Sequence, residues 1–366
     1  MSCQEAGKVP GVGIDKDMLF AVVQGGTCGF IDHAGRVVIQ PAWDSAGDFS
    51  EGMAIVERAG KVGFVAQSGT VAIEPSYDVA QSFCDGLAAV RVAEKWGFID
   101  KKGAVVVQAV YDDTGSFRNG LAPVKKEGNW GFIDKTGRVV VRPQFAGAQT
   151  FSDGLALVNK GGTEANDPLR GMYLSGGTYQ YIDQAGVAAF ARSFQSARRF
   201  SEGLSAVETG GGGQWHKDRG QTGHTGGKWG FVDKKGAIVI EHNFDEAGQM
   251  AEGLAPVLLK GKWGYVSASG KLQIEPQFEL AEPFSEGVAA VEKDGKWFYI
   301  DKAGSRAITG DFDNAYSFRH GLALVEVGGR STKSVYVESW GTFSIWNWAP
   351  RGYIDHQGAI VWKPQK

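Results

Sequence analysis

The sequence predicts an all-β protein made of nine tandem repeats of about 34 residues, each a three-stranded meander. A glycine recurs at this spacing along most of the chain. The segments around it are short and β-branched, such as Val-Val-Ile at 37–39 and Ile-Val-Ile at 238–240, with turn residues between them. No stretch carries an apolar stripe of 3.6-residue period long enough for a helix. Although helical tetratricopeptide arrays share this period, the local pattern favours strands.

Two blocks recur in step and define the unit. The first contains a turn glycine, found at Gly35, Gly69, Gly103, Gly137, Gly186, Gly236, Gly270, Gly304 and Gly358. The second has the pattern Phe-Ser-Glu-Gly-Leu-Ala-x-Val, as at 151–158 and 284–291. Most steps between turn glycines are 34 residues, and three longer steps place insertions at 159–178, 208–228 and 327–350. All three insertions fall between the first and second strands of a unit, so we expect them on one edge of the array.

Residues 121–141 show the predicted elements of one unit in order. The first strand runs from Leu121 to Val124, and the second runs from Trp130 to Asp134 after a tight turn. The third strand, Val139 to Val141, follows a turn that ends at Gly137. Asp at the first position of that turn and Gly at the fourth are typical of a type I turn, because the carboxylate accepts local N–H groups and glycine takes the left-handed conformation. In the repeat pattern a connector containing Pro and an aromatic-Asp pair, as in residues 41–52, then leads to the next unit.

The two ends of the array bear on whether it is open or closed. The first strand is Phe20 to Val23 and the last is Ile360 to Trp362, so nine whole units are present and none is divided between the termini. A closed propeller often divides one blade in this way, and three strands are one fewer than a normal blade has. We therefore predict an open solenoid or superhelix, with a closed propeller-like array as the alternative. Residues 1–19 are predicted to be a leader or tether, and residues 20–364 a single β array.

The most regular unit, residues 262–291, begins Lys-Trp-Gly-Tyr and contains Gly270, Pro276 and the block Phe-Ser-Glu-Gly. This pattern closely resembles that of the WG-containing (KWG) repeat family of bacteria, and the resemblance covers residues 20–364. The resemblance implies a structural and interaction module with no common catalytic residue. Four of the nine units replace the motif Trp, which favours a packing role for that position; the replacements are Cys28, Val62, Tyr179 and Arg351.

The composition argues against several classes of protein, namely nucleic-acid binders, membrane proteins and zinc proteins. There are 41 acidic and 38 basic side chains, and the net charge of −3 argues against a dedicated binder of nucleic acid or anionic membranes. No apolar run reaches the roughly 18 residues of a membrane helix. The three cysteines show no zinc spacing, and we expect neither a metal nor a cofactor. The chain start indicates a cytoplasmic protein or, if Cys3 is the mature N-terminus, a periplasmic lipoprotein.

The insertions are the main candidates for a binding site, because insertions in repeat proteins often form the binding face. The third contains a cluster of aromatic residues that suits a protruding binding hairpin, a sugar-stacking surface or an end cap; its candidates are Tyr336, Trp340, Phe343, Trp346 and Trp348. The second is glycine-rich and contributes Trp215. His216, Asp218 and His224 of this insertion match no rigid metal-site spacing. Neutral loop growth is the alternative explanation for all three.

Two further sets of residues have a simpler structural explanation beside a functional one. Arg192, Arg198 and Arg199 interrupt the fifth unit and suit either an acidic partner or a solvated face. A carboxylate precedes glycine in six units and is expected mainly to accept N–H groups within its own turn; these residues are Glu51, Asp85, Asp153, Glu202, Glu252 and Glu286.

Together these features predict a non-catalytic binding protein whose insertion edge grips another protein. An immunity or inhibitor protein that neutralises a secreted toxin is one form, and an envelope adaptor is another. The alternative is a carbohydrate- or cell-wall-binding module that uses the aromatic insertion. No catalytic residue is predicted, since no Ser/His/Asp order or nucleophile elbow occurs.

Overall fold

The computed structural model describes residues 17–167, 171–210, 227–326 and 351–363. Its strands form nine antiparallel sheets, here called blades 1 to 9, and one separate hairpin. The described residues contain strands and turns but no helix, so the all-β prediction is confirmed. No described segment forms a helix that could cross a membrane.

The blades follow one another in chain order. Blade 1 comprises β1–β3 (Phe20–Gln24, Thr27–Ile31, Val37–Trp43), and blade 2 comprises β4–β7 (Ser45–Ser50, Met53–Arg58, Lys61–Ala66, Val71–Tyr77). Blade 3 comprises β8–β11 (Val79–Ala80, Leu87–Val92, Lys95–Asp100, Val105–Tyr111), and blade 4 comprises β12–β15 (Asp113–Thr114, Leu121–Lys126, Asn129–Asp134, Val139–Phe145). Blade 5 comprises β16, β17 and β20 (Gly147–Ala148, Ala156–Lys160, Thr178–Ile182), and the separate hairpin is β18–β19 (Thr163–Asp167, Gly171–Ser175). Blade 6 comprises β21–β24 (Ser196–Ala197, Leu204–Thr209, Lys228–Asp233, Ile238–Phe244), and blade 7 comprises β25–β28 (Glu246–Ala247, Leu254–Leu259, Lys262–Ser267, Leu272–Phe278). Blade 8 comprises β29–β31 (Leu280–Ala281, Ala289–Lys293, Lys296–Ile300), and blade 9 comprises β32–β35 (Asn314–Ala315, Leu322–Glu326, Arg351–Asp355, Ile360–Trp362).

A full blade has four strands, which corrects the predicted three. We call the strands of a blade A, B, C and D in chain order. Strands B, C and D are the three that the sequence predicts, and strand A is a short additional strand formed by the connector. In blade 4, strand A is β12, whose Asp113 and Thr114 pair with Lys125 and Val124 of strand B. Strand A cannot be recognised from an alternating residue pattern, because it has only two residues in most blades. With it, the unit has the four strands of an ordinary propeller blade.

The array is a closed ring of nine blades, so the predicted open solenoid is wrong. Blades 9 and 1 share a core cluster in which Leu322 and Tyr353 meet Phe20 and Ile31. The Tyr353 hydroxyl donates to the Ala21 carbonyl oxygen at 3.0 Å. No blade is divided between the termini, as predicted, although blade 1 has only three described strands, and side-chain packing closes the ring.

The core runs around the ring between neighbouring blades. One cluster, for example, joins Trp130 and Phe132 of blade 4 to Phe151 and Val158 of blade 5. The five tryptophans of the repeated motif are buried, as a packing role requires; they are Trp96, Trp130, Trp229, Trp263 and Trp297. Each blade is therefore stabilised mainly by its neighbours, as expected for a repeat too small to bury its own apolar face.

The meander gives the ring two distinct faces. Successive strands are antiparallel, so the AB and CD turns of every blade lie on one face and the BC turns lie on the other. We call these the AB/CD face and the BC face. The predicted CD turn is confirmed in blade 4, where the Asp134 carboxylate accepts the N–H groups of Thr136 and Arg138 and Gly137 has φ 83°.

Candidate functional site

All three insertions join strands B and C, in blades 5, 6 and 9, and the described strand ends that flank them lie on the BC face. The three insertions were predicted to share one edge of an open array, and in the closed ring they still start and end on one face. Blades 5 and 6 are neighbours, whereas blade 9 is separated from blade 6 by two blades. The candidates Trp215, Tyr336, Trp340, Phe343, Trp346 and Trp348 lie outside the described residues, as do His216, Asp218 and His224.

The first insertion is the hairpin β18–β19, and it contacts the blade before its own. Glu164 of the hairpin forms an ion pair with Lys125 of blade 4. A Cβ atom on Gly147 would lie 2.3 Å from Leu174 Cδ1, so the absence of a side chain at Gly147 lets Leu174 pack against strand A. At the base of the hairpin, the buried Asn159 accepts from the Gly162 N–H at 3.0 Å and donates to the Gly176 carbonyl at 3.3 Å. This insertion therefore links blades 4 and 5.

Lysine–carboxylate pairs connect the blades on the BC face. The lysine precedes the motif Trp, or Val62 in its place in blade 2, and the acid lies 17 residues later in the connector; the pairs are Lys61–Asp78, Lys95–Asp112, Lys228–Asp245, Lys262–Glu279 and Lys296–Asp313, at 2.5–2.7 Å. Asp112 and Asp245 also accept a backbone N–H from the next BC turn, at Glu127 and Lys260 respectively, both at 2.8 Å. Each such connector thus holds two adjacent blades together.

Both partners of this pair are replaced on either side of blade 5. Asn129 and Ala146 occupy the two positions between blades 4 and 5, and Thr178 and Gln195 occupy them between blades 5 and 6. The hairpin contact through Glu164 lies at the first of these junctions. The BC face therefore departs from its regular pattern where the first two insertions emerge.

A buried polar cluster lies at the junction of blades 6 and 7. Arg198 Nε donates to the Ala247 carbonyl oxygen at 2.6 Å, and Arg198 Nη2 lies 3.0 Å from Glu246 Oε1. The Arg198 guanidinium also lies over the Trp229 ring, 5.2 Å from its centroid. Charge, hydrogen bonding and stacking thus hold this predicted site residue between two blades.

Glu208 belongs to the same region; it is the penultimate residue of strand B in blade 6 and the first residue of the predicted second insertion. Its side chain is fully buried against Gly227, the residue where the described chain resumes. Burial raises the pKa of the Glu208 carboxyl to about 7, and the neighbouring Glu246 adds to the effect. Sequence reasoning missed this residue, because an acid at the end of a strand resembles a solvated one.

The three predicted arginines do not converge on one surface. Arg192 is exposed, whereas Arg198 contacts blade 7. Arg199 reaches the other way, with Nη1 3.4 Å from Thr150 Oγ1 of blade 5. Arg192 remains a candidate for contact with a partner, and the other two have contacts within the ring.

The carboxylates before glycine accept N–H groups from the next blade's AB turn rather than from their own. Asp85 accepts from Gly120 at 2.7 Å, and Glu286 accepts from Gly321 at 2.9 Å. The remaining pairs of this kind are Glu51–Gly86, Asp153–Gly203, Glu202–Gly253 and Glu252–Gly287. Equivalent points of neighbouring blades are closest near the axis of a ring, so these turns surround the central channel. The predicted structural role holds, but the donor belongs to the neighbouring blade.

The glycine after the motif Trp has a steric role that sequence reasoning missed. In blade 4, a Cβ atom on Gly131 would lie 2.4 Å from the Val141 carbonyl oxygen of strand D. Gln180 and Phe298 stand in place of this glycine in two units, and in those two blades strand D is reduced to isolated bridges.

Beside Phe298, a cleft of about 250 Å³ is lined by Lys293, Asp294, Lys296, Arg306 and Asp311. Among the described residues, no three His, Cys, Asp or Glu side chains are grouped as a metal site requires.

Comparison with known proteins identifies the repeat and the ring. The model of the WG containing repeat matches residues 29–61, 63–96, 96–130, 130–163, 229–263, 263–297 and 297–330. No curated protein matches the chain. The crystal structure of a eukaryotic initiation factor is similar over 95% of this chain and 96% of its own, with a TM-score of 0.62 and 9% identity. That likeness shows the fold alone.

Two other solved structures have lower scores. The dihydro-heme d1 dehydrogenase NirN covers 98% of this chain and 76% of its own, with a TM-score of 0.47 and 13% identity. The Pan2 WD40 domain of Neurospora crassa covers 68% and 85%, with a TM-score of 0.36 and 12% identity. At these scores neither supports a functional argument.

Proposed function

The chain belongs to the WG containing repeat family, and from this premise we propose that it is a non-catalytic scaffold that binds another protein through its BC face. The observation that supports the proposal is that all three insertions join strands B and C, whose described ends lie on one side of the ring. Irregular loops on one face of a regular scaffold are the usual arrangement of a binding surface in repeat proteins. An immunity or inhibitor protein and an envelope adaptor are two specific forms of this function.

Several features support a scaffold role. The ring is held by repeated contacts between blades, namely the lysine–carboxylate pairs on the BC face and the carboxylate–glycine contacts around the channel. A surface on rigid elements positions its protruding loops more reproducibly than a mobile support does.

The proposal is tested by affinity capture combined with cross-linking. Full-length protein would be compared with a variant in which residues 331–348 are replaced by a short Gly-Ser turn. A matched control, Lys234→Ala/Lys235→Ala, changes exposed residues of a CD turn on the opposite face. Circular dichroism would establish that all three proteins fold.

We expect one protein to be enriched by the wild type and by the control, lost with the loop variant, and cross-linked to BC-face residues. Cross-links confined to the AB/CD face would contradict the proposal. Saturable binding of peptidoglycan fragments or glycans, without any protein partner, would instead favour the carbohydrate-binding function.

A further inference from the structure

Strand D of blade 3, β11, differs from the other D strands in a way that leaves its outer edge open to pairing. β11 is the last strand of its sheet, and among the described strands it pairs with β10 alone. An unpaired edge of this kind is a template for another extended chain unless charges or prolines protect it. The composition of the D strands therefore decides which of them can accept a partner.

Each of the five other seven-residue D strands carries a proline or a charged residue. β3 contains Pro41, β7 contains Glu74 and Pro75, β15 contains Arg142 and Pro143, β24 contains Glu241, and β28 contains Glu275 and Pro276. β11 reads Val-Val-Val-Gln-Ala-Val-Tyr and has Gln108 and Ala109 at the two protected positions. It is the unprotected member of the set.

The exposed side chains of β11 are apolar. Val105 is 56% exposed, Val106 is 40% exposed and Val110 is 48% exposed. Small or polar residues replace Val110 in the other five strands; they are Ala42, Ser76, Gln144, Asn243 and Gln277. The edge thus offers both backbone groups and an apolar surface, as strand addition requires.

Positive charges flank this edge on both sides. Lys102 lies in the CD turn that leads into β11, and it is exposed. The CD turn of blade 4 packs on the strand itself, because a Cβ atom on Gly137 would lie 3.3 Å from Val107 Cγ2. That turn presents the exposed Lys135 and Arg138, and it keeps a net charge of +1 because Asp134 pairs with Arg138 at 2.9 Å. An extended segment with acidic residues would complement these charges.

We propose that β11 accepts an extended, acidic segment of a partner protein as a fifth strand of blade 3. The register irregularities between β10 and β11 leave a short regular edge, so the added strand pairs near Val105 to Gln108. This surface lies at the rim, outside the BC face, and the proposal stands independently of the function proposed above.

The probe is a fluorescent synthetic peptide of about eight residues that alternates valine and glutamate. Fluorescence anisotropy with full-length protein should give a saturable curve that weakens as salt is added, because the flanking charges are exposed. Two further peptides test the chemistry: one replaces glutamate with lysine, and one is N-methylated on alternate backbone amides. We expect each to bind at least about tenfold more weakly.

The main variant is Gln108→Glu/Ala109→Pro. It gives β11 the Glu-Pro pair that stands at the equivalent positions of β7 and β28, so the fold accommodates it. We expect at least about a tenfold loss of peptide affinity with an unchanged thermal unfolding curve. Glu275→Gln in β28 is the matched control and should bind as the wild type does. Lys135→Ala/Arg138→Ala should weaken binding of the acidic peptide at low salt.

Three outcomes would overturn the proposal. One is the absence of saturable binding to the wild type up to about 1 mM peptide. Another is equal binding by Gln108→Glu/Ala109→Pro, which would place the peptide elsewhere. The third is equal binding of the N-methylated peptide, which would exclude backbone pairing. As a second measurement, bound peptide should slow hydrogen exchange in β11 and leave exchange in β28 unchanged.

Discussion

At the scale of single residues, the glycine after the motif Trp determines how closely strand D lies against strand C. Gly29, Gly63, Gly97, Gly131, Gly230 and Gly264 all face a backbone carbonyl oxygen that a Cβ atom would approach to 2.4–2.5 Å. The opposing atom is backbone, so it cannot move aside without displacing the strand. The two natural exceptions, Gln180 and Phe298, coincide with reduced D strands and show what that displacement looks like.

Gly131→Ala should therefore lower the free energy of unfolding by about 1–3 kcal/mol, the usual cost of overpacking. Gln180→Ala is the matched control at the equivalent position of blade 5, where strand D is already displaced, and it should cost clearly less. Urea denaturation of both variants measures the difference. Equal costs would show that the glycine is not needed for steric reasons.

Glu208 gives a prediction of pH dependence. Its folded-state pKa is about 7 and its ordinary value is 4.5. An acid with a raised pKa holds its proton more tightly in the folded protein, so its stabilising contribution is complete below pH 4.5 and is lost as the pH rises through about 7. Glu208→Gln mimics the protonated acid and should exceed the wild type in unfolding free energy at pH 8, by on the order of 1–2 kcal/mol.

Below the ordinary pKa the two proteins should have the same stability. Denaturant titrations at several pH values test this. Glu57→Gln is the control, because Glu57 is the penultimate residue of strand B in blade 2 but is only half-buried and accepts from Ser45 Oγ at 2.8 Å. A gain of the same size for both variants, or a gain for Glu208→Gln that does not change with pH, would contradict this prediction.

At the scale of elements, the first insertion acts as a strap over a junction that lacks the lysine–carboxylate pair. Asn159 ties the two ends of this strap together, through Gly162 and Gly176. Asn159→Ala should destabilise the protein by about 1–2 kcal/mol, because buried polar groups would lose their partners. Hydrogen exchange should rise in β18 and β19 and stay unchanged in the BC turn at Lys260. If exchange rises equally at both places, the effect is global and the strap has no separate role.

Strands B, C and D were predictable because their β-branched runs alternate with turn residues, and the CD turn was predictable from its Asp and Gly. Strand A was not, because Asp113 and Thr114 acquire strand geometry only through pairing with the following strand. The candidate site was predictable as far as the grouping of the insertions. Glu208 and the irregular junctions beside blade 5 depend on burial and on contacts between distant residues, which no local pattern records.

At the scale of the whole molecule, the junction between blades 9 and 1 is the one that no connector crosses, and this explains why ring closure was missed. A repeated unit specifies the contact between neighbours, and an open and a closed array share that contact. His33 shows this directly. Its Nε2 is hydrogen-bonded to the His320 carbonyl oxygen between blades 9 and 1. At the equivalent position between blades 2 and 3, Lys101 Nζ donates to the Glu51 carbonyl oxygen at 2.8 Å. The same contact that propagates the array also closes it.

Opening of the ring should therefore begin at this junction. Tyr353→Phe removes the hydrogen bond to Ala21 and should cost about 1 kcal/mol. Tyr265→Phe removes the bond that the equivalent tyrosine of blade 7 donates to the Glu282 carbonyl oxygen, 2.7 Å long, at a junction that a connector also crosses. Hydrogen exchange in β1 should accelerate with Tyr353→Phe and not with Tyr265→Phe. Equal acceleration would mean that the ring has no preferred opening point.

The carboxylate contacts around the channel all have the same direction, and this bears on how the protein is made. In each pair the acceptor precedes its donor in the chain, as Asp85 precedes Gly120 and Glu252 precedes Gly287. During synthesis from the N-terminus, blades 3, 4, 6, 7, 8 and 9 therefore leave the ribosome after the group that will hold their AB turn is already in place. The ring can be assembled vectorially, one blade on the last, and only the docking of blade 9 on blade 1 joins blades that are distant in the chain.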